Sequence, residues 1–409
     1  MSEMPGRRAI VLVLDACGVG ALPDAADYGD EGTNTLAHVA AAAGGLRLPT
    51  LGALGLGSIT KLVGVPPAEH PAVHGRLHPL GPGKDSVTGH WELMGVVLDR
   101  ALPTYPGGFP AEVVARLVAA MGHDVICNRP DNGLAAIEDF GEEHLRTGAL
   151  ILYTSADSVL QLAAHVERVP EEELYRSCAR AREAMTGEHA VGRVIARPFS
   201  GPPGAFARTA GRRDFAVAPP ARSYLQELQD AGVAVLGVGK IGDLFAGVGI
   251  DRRYAGATNA LALQSVDSLL AELDRGLVFA NLIETDQVYG HRKDIRGFAA
   301  ALHEVDRHLA WMLARMRDGD LLIVTADHGV DPAHPGTDHT REHAPLLAIT
   351  GEMVRSREAG RSADGARHDG PLADVGATVL RWLAARGSQE IPGEDFLACL
   401  PAPGRSRIS

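Results

Sequence analysis

The chain is poor in cysteine, in long apolar runs and in clustered positive charge. Four cysteines, Cys17, Cys127, Cys178 and Cys399, stand far apart in 409 residues with no C-x-x-C pair. This excludes a zinc ribbon and a disulfide-stapled scaffold and fits a reducing cytoplasm. No run approaches the ~20 apolar residues that a membrane helix needs. The N-terminal R-R-A-I-V-L-V-L-D begins like a signal peptide, but its apolar part is short and ends at Asp15 with no clear cleavage pattern behind it, so it reads as a first strand. Lys and Arg are scattered and the formal net charge is −12, which excludes a nonspecific nucleic-acid surface while allowing a local cationic pocket. Internal repeats and low-complexity tracts are missing too. With 45% hydrophobic and 22% charged residues, the composition is that of a folded, soluble protein.

The length exceeds one ordinary core and predicts two domains, or one large domain with an insertion. Short, continuously apolar runs read as central parallel strands: A-I-V-L-V-L before Asp15, V-A-V-L-G-V before Gly239, L-V-F-A-N-L-I before Glu284, L-L-I-V before Thr325 and P-L-L-A-I near Ile349. Between them lie amphipathic segments, the clearest from Leu302 to Met316, with Leu302, Val305, Leu309, Met312, Leu313 and Met316 on one helical face. Alternating strands and helices give the α/β class. The stretches Pro103–Pro110 and Ala216–Pro220 interrupt the pattern. They bracket an inserted α+β cap of about one hundred residues, at the small end of domain sizes. The expected organisation is a core in two parts, 1–102 and 217–409, around a cap at 103–216.

The segment V-T-A-D-H-G-V-D-P-A-H-P-G-T-D-H-T-R-E-H ends a buried strand at Val324 and then gathers acids and imidazoles in a loop broken by Gly329, Pro332, Pro335 and Gly336. Ligands collect beyond the carboxyl ends of strands in an open parallel sheet. Three predicted strands deliver Asp15, Asp286 and Asp327 there, with His291, His328 and His339 nearby. Such hard oxygen and borderline nitrogen donors suit divalent metals. Three carboxylates with three imidazoles exceed what one zinc ion uses and match two ions sharing a bridging group. The alternative is a set of unconnected surface acids and histidines. The spacing in T-D-Q-V-Y-G-H-R suits a turn better than a zincin-type helix.

A second informative stretch is G-P-G-K-D-S-V-T-G-H-W-E, from Gly81 to Glu92. It is not a phosphate-binding P-loop, which needs Ser or Thr directly after the Lys, where Asp85 stands. It offers instead a hydroxyl at Ser86 that a metal can deprotonate, with Thr88 as a rival and a plain turn residue as the bland alternative. D-A-C-G-V-G near the N-terminus lacks the full dinucleotide fingerprint.

Together G-K-D-S-V-T-G-H-W-E, D-Q-V-Y-G-H-R, T-A-D-H-G with G-T-D-H-T-R-E, and the middle segments Y-T-S-A-D-S-V-L-Q, V-G-R-V-I-A-R-P-F and R-T-A-G-R-R-D-F resemble the bacterial phosphopentomutase family of the alkaline phosphatase superfamily. The resemblance runs from Asp15 to Glu342. It implies an alkaline-phosphatase-like core, with a mainly parallel sheet flanked by helices, plus the inserted cap. It also implies exchange of phosphate between C1 and C5 of ribose or 2-deoxyribose, two Mn²⁺ ions and a phosphorylated hydroxyl. One metal is then held by Asp15, Asp327 and His328, the other by Asp286, His291 and His339. The phosphorylated residue falls on Ser86, where the family's usual side chain is Thr, and Gly211 stands where Asn is expected.

Ser155, Asp157, Arg193, Arg208 and Lys240 are the implied substrate-binding residues, Arg being suited to bidentate phosphate contact. A sugar bisphosphate, ribose 1,5-bisphosphate or glucose 1,6-bisphosphate, is the implied activator. The expected partners are small pentose phosphates, with no nucleic acid or membrane, and the chain is expected to act as a cytoplasmic monomer. The competing readings are a metal-dependent phosphatase or another phosphosugar mutase and, from a different class, a non-catalytic metal-binding protein. The last explains the ligands but not Ser86 in its glycine-rich surroundings.

Overall fold

The computed structural model describes residues 6–155, 158–361, 364–384 and 386–400. Two compact units are present, one formed by Met1–Asp99 with Pro219–Ser409, the other by Arg100–Ala218.

The first unit is built on an eight-stranded sheet in the order Arg252–Tyr254, Val235–Val238, Gly276–Leu282, Arg8–Leu14, Asp320–Thr325, Ala344–Thr350, Val73–His78, Gly370–Pro371. The first five strands in that order run parallel. The apolar runs at Arg8–Leu14, Gly276–Leu282 and Asp320–Thr325 are buried along their whole length, as strands covered on both faces must be. Helix Asp374–Ala384 packs on Arg8–Leu14 and Gly276–Leu282, and helix Asn259–Glu272 on Gly276–Leu282 and Val235–Val238.

One predicted parallel strand is not parallel. Ala344–Thr350 runs antiparallel to both of its neighbours, Asp320–Thr325 and Val73–His78. A parallel pair needs a crossover that returns the chain to the starting edge. Here the loop 326–343 leaves and re-enters at the same edge, so the next strand has to run back. The amphipathic helix spans Ile295–Leu313, stopping three residues short of the expected Met316 but starting seven residues before Leu302, because Asp294 caps it by accepting from the Gly297 N–H and Phe298 extends the buried face.

The second unit holds a sheet in the order Val125–Pro130, Leu150–Thr154, Val159–His165, Arg193–Ser200, Ala207–Arg208, with Arg213–Ala216 also paired to Arg193–Ser200. Helices Ala111–Met121 and Glu171–Ala184 cover one face through Val113, Leu117, Leu174 and Cys178. Helix Gly133–Thr147 covers part of the other through Ala136 and Ile137. No helix among the described residues is long and apolar enough to cross a membrane.

At the amino edge of the first sheet, Arg8 and Asp320 are register partners on adjacent strands, each 1% exposed. The guanidinium donates to both carboxylate oxygens, Nε to Oδ1 at 2.7 Å and Nη2 to Oδ2 at 2.6 Å. Removing one partner strands the other charge in the core. Asp320→Ala is therefore expected to cost about 3–5 kcal/mol, read as a lowered urea midpoint of the first unit's unfolding transition.

Candidate active site

Five parallel strands put their carboxyl ends at one edge, and the side chains singled out in the sequence lie just beyond it. Asp15 follows Leu14 directly, Asp327 stands two residues after Thr325, and Asp286 lies in a single turn of π-helix, Thr285–Gly290, after Leu282. The expected plain turn at T-D-Q-V-Y-G-H-R is thus a wide helical turn. The Thr285 hydroxyl, donating to the Asp15 carbonyl at 2.7 Å, ties it to the first strand.

Two candidate ligand sets result, each with ligand atoms mutually within 4.8 Å: Asp15, Asp327 and His328, and Asp286, His328 and His339. His328 belongs to both. Its Nε2 lies 3.2 Å from Asp327 Oδ2 and 3.5 Å from Asp15 Oδ1. Nδ1 is 3.0 Å from the Gly329 carbonyl oxygen, a contact that calls for a proton on Nδ1 and leaves Nε2 for a ligand. His291 stands beside the second set, its Nε2 3.3 Å from Asp286 Oδ1 and its Nδ1 2.6 Å from the Thr337 carbonyl. His339 Nε2 lies equally close to that same oxygen, and the His328 and His339 rings stack with centroids 3.9 Å apart.

The electrostatics call for cations. Burial, then the charges of Asp327 and Asp286, push the Asp15 carboxyl up to about 7. Burial works against a charged ring at His328, yet Asp327, Asp15 and Asp286 outweigh it and lift that imidazole to about 10. Burial likewise opposes ionisation of Asp286, but His339, His291 and His328 hold its carboxyl well below the usual range. Asp15 Oδ1, Asp286 Oδ1, Asp327 Oδ2 and His339 Nε2 are all buried without a well-formed hydrogen bond. Buried polar atoms of this kind are costly unless something else engages them. A protonated His328 is one cation the protein can supply, and divalent ions held by these atoms would replace that proton.

Ser86 meets this cluster from a different part of the chain. It is the first residue of helix Ser86–Leu93, whose cap is Asp85, accepting from the N–H groups of Val87 and Thr88. Ser86 Oγ lies 3.0 Å from His328 Nε2, the nitrogen shared by both ligand sets. The rival hydroxyl faces away, Thr88 Oγ1 donating to Asp85 Oδ2 at 2.9 Å. Gly89 lets this helix lie against Asp327, since a Cβ there would sit 2.5 Å from the Asp327 carbonyl oxygen.

His90 and Asn281 are buried neighbours of the cluster that the motif reading missed. Fully buried His90 places Nδ1 3.1 Å from Asp327 Oδ2 and 2.8 Å from the Ser86 carbonyl. Asn281, fully buried within its strand, directs Nδ2 to Asp15 Oδ2 at 2.8 Å and to His90 Nε2 at 3.0 Å. The i, i+4 spacing of Ser86 and His90 was the available signal. Asn281 gave none, being one polar residue in an apolar strand. Two further acids of the loop, Asp331 and Glu342, are anchors. Asp331 accepts from the Asn34 N–H and pairs with His38, while Glu342 accepts from the hydroxyls of Thr35 and Thr340.

Lys240 lies half-buried just past strand Val235–Val238, at the same edge as Asp15. In the second unit, Ser155 directly follows strand Leu150–Thr154 and Arg193 begins Arg193–Ser200. The antiparallel and parallel pairings through Val159–His165 bring these two positions to one edge of that sheet. Arg208 pairs opposite Phe199, roughly 20 Å along the strand from Arg193 by the usual rise per residue. Asp157 lies outside the described residues. Sequence reasoning passed over Arg197 on this sheet and Arg212 just before strand Arg213–Ala216, whose guanidinium groups are engaged by Gln161 and Asp214.

The family model of the Metalloenzyme superfamily matches residues 7–386. Phosphopentomutase of Anaeromyxobacter dehalogenans is 50% identical over 394 residues, covering 96% of this chain and 98% of its own. Phosphopentomutase of Caldanaerobacter subterraneus subsp. tengcongensis is 46% identical over 374 residues, covering 91% of this chain and 93% of its own. Among solved structures, phosphoglycerate mutase of Leishmania mexicana covers 96% of this chain and 98% of its own at 15% identity, with a TM-score of 0.49.

Asn281 holds one oxygen of Asp15 and one nitrogen of His90, so its loss would loosen a candidate ligand without removing it. Asn281→Ala is expected to keep the fold by circular dichroism while Mn²⁺ affinity, measured by calorimetric titration, falls about 10–100-fold. An unchanged affinity would show that Asn281 does not orient Asp15.

Proposed function

The chain belongs to the phosphopentomutase family of the metalloenzyme superfamily, and we propose on that premise that it interconverts α-D-ribose 1-phosphate and D-ribose 5-phosphate, and the 2-deoxyribose analogues, through a phosphorylated Ser86. The observation that carries the role of Ser86 is its Oγ, 3.0 Å from the His328 nitrogen on which both ligand sets converge. We assign Asp15, Asp327 and His328 to one Mn²⁺, and Asp286, His291 and His339 to a second, with His328 also bordering the second. When bound, such ions lower the pKa of a hydroxyl and offset the charge spread over phosphate oxygens.

The protein's own part is placement. Asp85 caps the helix and turns the Thr88 hydroxyl away, so Ser86 is the hydroxyl presented to the cluster. Phosphorylated Ser86 passes its phosphoryl group to the free hydroxyl of the pentose monophosphate, giving a sugar 1,5-bisphosphate. The phosphoryl on the other carbon then returns to Ser86 as its bond to the sugar breaks. A sugar bisphosphate activates by the same step, charging Ser86 at the outset. Ser155, Asp157, Arg193, Arg208 and Lys240 are assigned to binding the sugar phosphate, with Arg the better bidentate partner. The unit Arg100–Ala218 is read as the inserted cap. Cytoplasmic location is supported by four unpaired cysteines.

The test is ³¹P NMR of Mn²⁺-loaded protein with ribose 1-phosphate and a trace of glucose 1,6-bisphosphate. Ribose 5-phosphate is the expected product, and accumulation of free phosphate in its place would make the protein a phosphatase. Ser86→Ala is expected to lower turnover by about a thousandfold or more. Ser86→Thr is expected to stay active, because the oxygen remains and the added methyl only stiffens χ1. Mass-spectrometric recovery of phosphate on Thr88 would overturn the assignment.

A further inference from the structure

The turn that leads into Ser86 is held from four separate places. Glu92 accepts from the N–H groups of Leu80 and Gly81, and the Tyr28 hydroxyl donates to the Pro82 carbonyl at 2.9 Å. Arg341 Nη1 donates to the Gly83 carbonyl at 2.6 Å, and Lys84 Nζ pairs with Asp30 at 2.7 Å. Arg341 has the widest reach of these. Its side chain is 5% exposed and pairs through Nη2 with Asp24 at 3.0 Å, its guanidinium carbon lies 5.0 Å from the Tyr28 ring centroid, and its backbone N–H donates to Asp30 Oδ2 at 2.8 Å.

Arg341 also stands two residues after His339 and one before Glu342, in the loop that carries a ligand of the cluster. One planar, rigid group therefore spans the ligand loop and the turn of the attacking hydroxyl. We infer that Arg341 is a positioning residue for the phosphoryl exchange, tying the His339 loop to the Gly83 carbonyl and thereby setting where Ser86 Oγ stands relative to the metal ligands. The inference rests on Ser86 being the phosphorylated residue. Its physical content is that a misplacement of about 1 Å in a reacting group costs on the order of a hundredfold in rate. A lysine, with one compact ammonium, cannot span the Gly83 carbonyl and Asp24 in the same forked geometry.

The experiment uses the full chain loaded with Mn²⁺ and the variants Arg341→Ala, Arg341→Lys and Tyr28→Phe. Measured are kcat and KM for ribose 1-phosphate, metal per chain, and phosphate gained by Ser86 from glucose 1,6-bisphosphate. For Arg341→Ala, kcat and the rate of Ser86 phosphorylation are expected to fall about ten- to a hundredfold, with KM and metal content held within about twofold. Arg341→Lys recovers part of the loss, and Tyr28→Phe, which removes one hydroxyl from the same turn, lowers kcat in the same direction. If Arg341→Ala does not fold, the other two variants decide the matter. Parent-like kcat in Arg341→Lys and Tyr28→Phe, or a loss of metal that matches the fall in kcat, overturns the inference. Failure of the parent protein to gain phosphate on Ser86 overturns the underlying reading of Ser86 instead.

Discussion

Mutual repulsion among Asp15, Asp286 and Asp327 is the constraint on which the rest of the first unit depends. These carboxylates are 5% exposed or less and lie at one sheet edge. Burial first, and then the charges of Asp327 and Asp286, oppose ionisation of Asp15 and raise its carboxyl. The arrangement holds because imidazoles interleave with the acids and because divalent cations suit the same atoms. Five parallel strands make it possible by delivering chain from distant parts of the sequence to a common edge.

Around that cluster the protein spends its polar groups on orientation. Asn281 and His90 fix one side of Asp15 and Asp327, and Thr285 fastens the turn that carries Asp286. Helix Ser86–Leu93 contributes both Ser86 and His90, four residues apart on one face, and Gly89 lets it lie close to Asp327. The hydroxyl proposed to be phosphorylated and a group that orients a candidate ligand are thus parts of one rigid element. A helix can keep their separation constant as a loop cannot.

The second unit follows a different logic. Its sheet presents arginines engaged by Asp214 and Gln161, which keep the guanidinium groups in fixed directions while leaving them charged. Arg193 and Ser155 share an edge, whereas Arg208 enters the sheet at the far end of the neighbouring strand. The implied substrate-binding residues of this unit are therefore not equivalent positions. Their different starting points are a matter of strand direction, invisible in the spacing of R-V-I-A-R-P-F and R-T-A-G-R-R-D-F.

Much of the candidate metal site was legible because its acids sit where apolar runs stop: Asp15 after A-I-V-L-V-L and Asp327 with His328 after L-L-I-V. A buried strand must be apolar, so the first acid beyond it marks an edge for Asp15 and Asp327, whereas after Gly276–Leu282 the first acid, Glu284, accepts from the Asn259 N–H and Asp286 is the one that joins the cluster. The class, the long amphipathic helix and the candidacy of Ser86 came from the same local rules. Long-range pairing decided the rest. The direction of Ala344–Thr350 depended on where loop 326–343 returned, and which of the two hydroxyls, Ser86 or Thr88, lies near His328 depended on which one Asp85 engaged. His328 became common to both ligand sets only through its position between Asp15 and Asp286. Asn281 and Arg341 acquired partners hundreds of residues away in Asp15 and Gly83. Periodicity records which face of an element is buried, but not which element it is buried against, and hydrogen bonds across a sheet edge depend on the second.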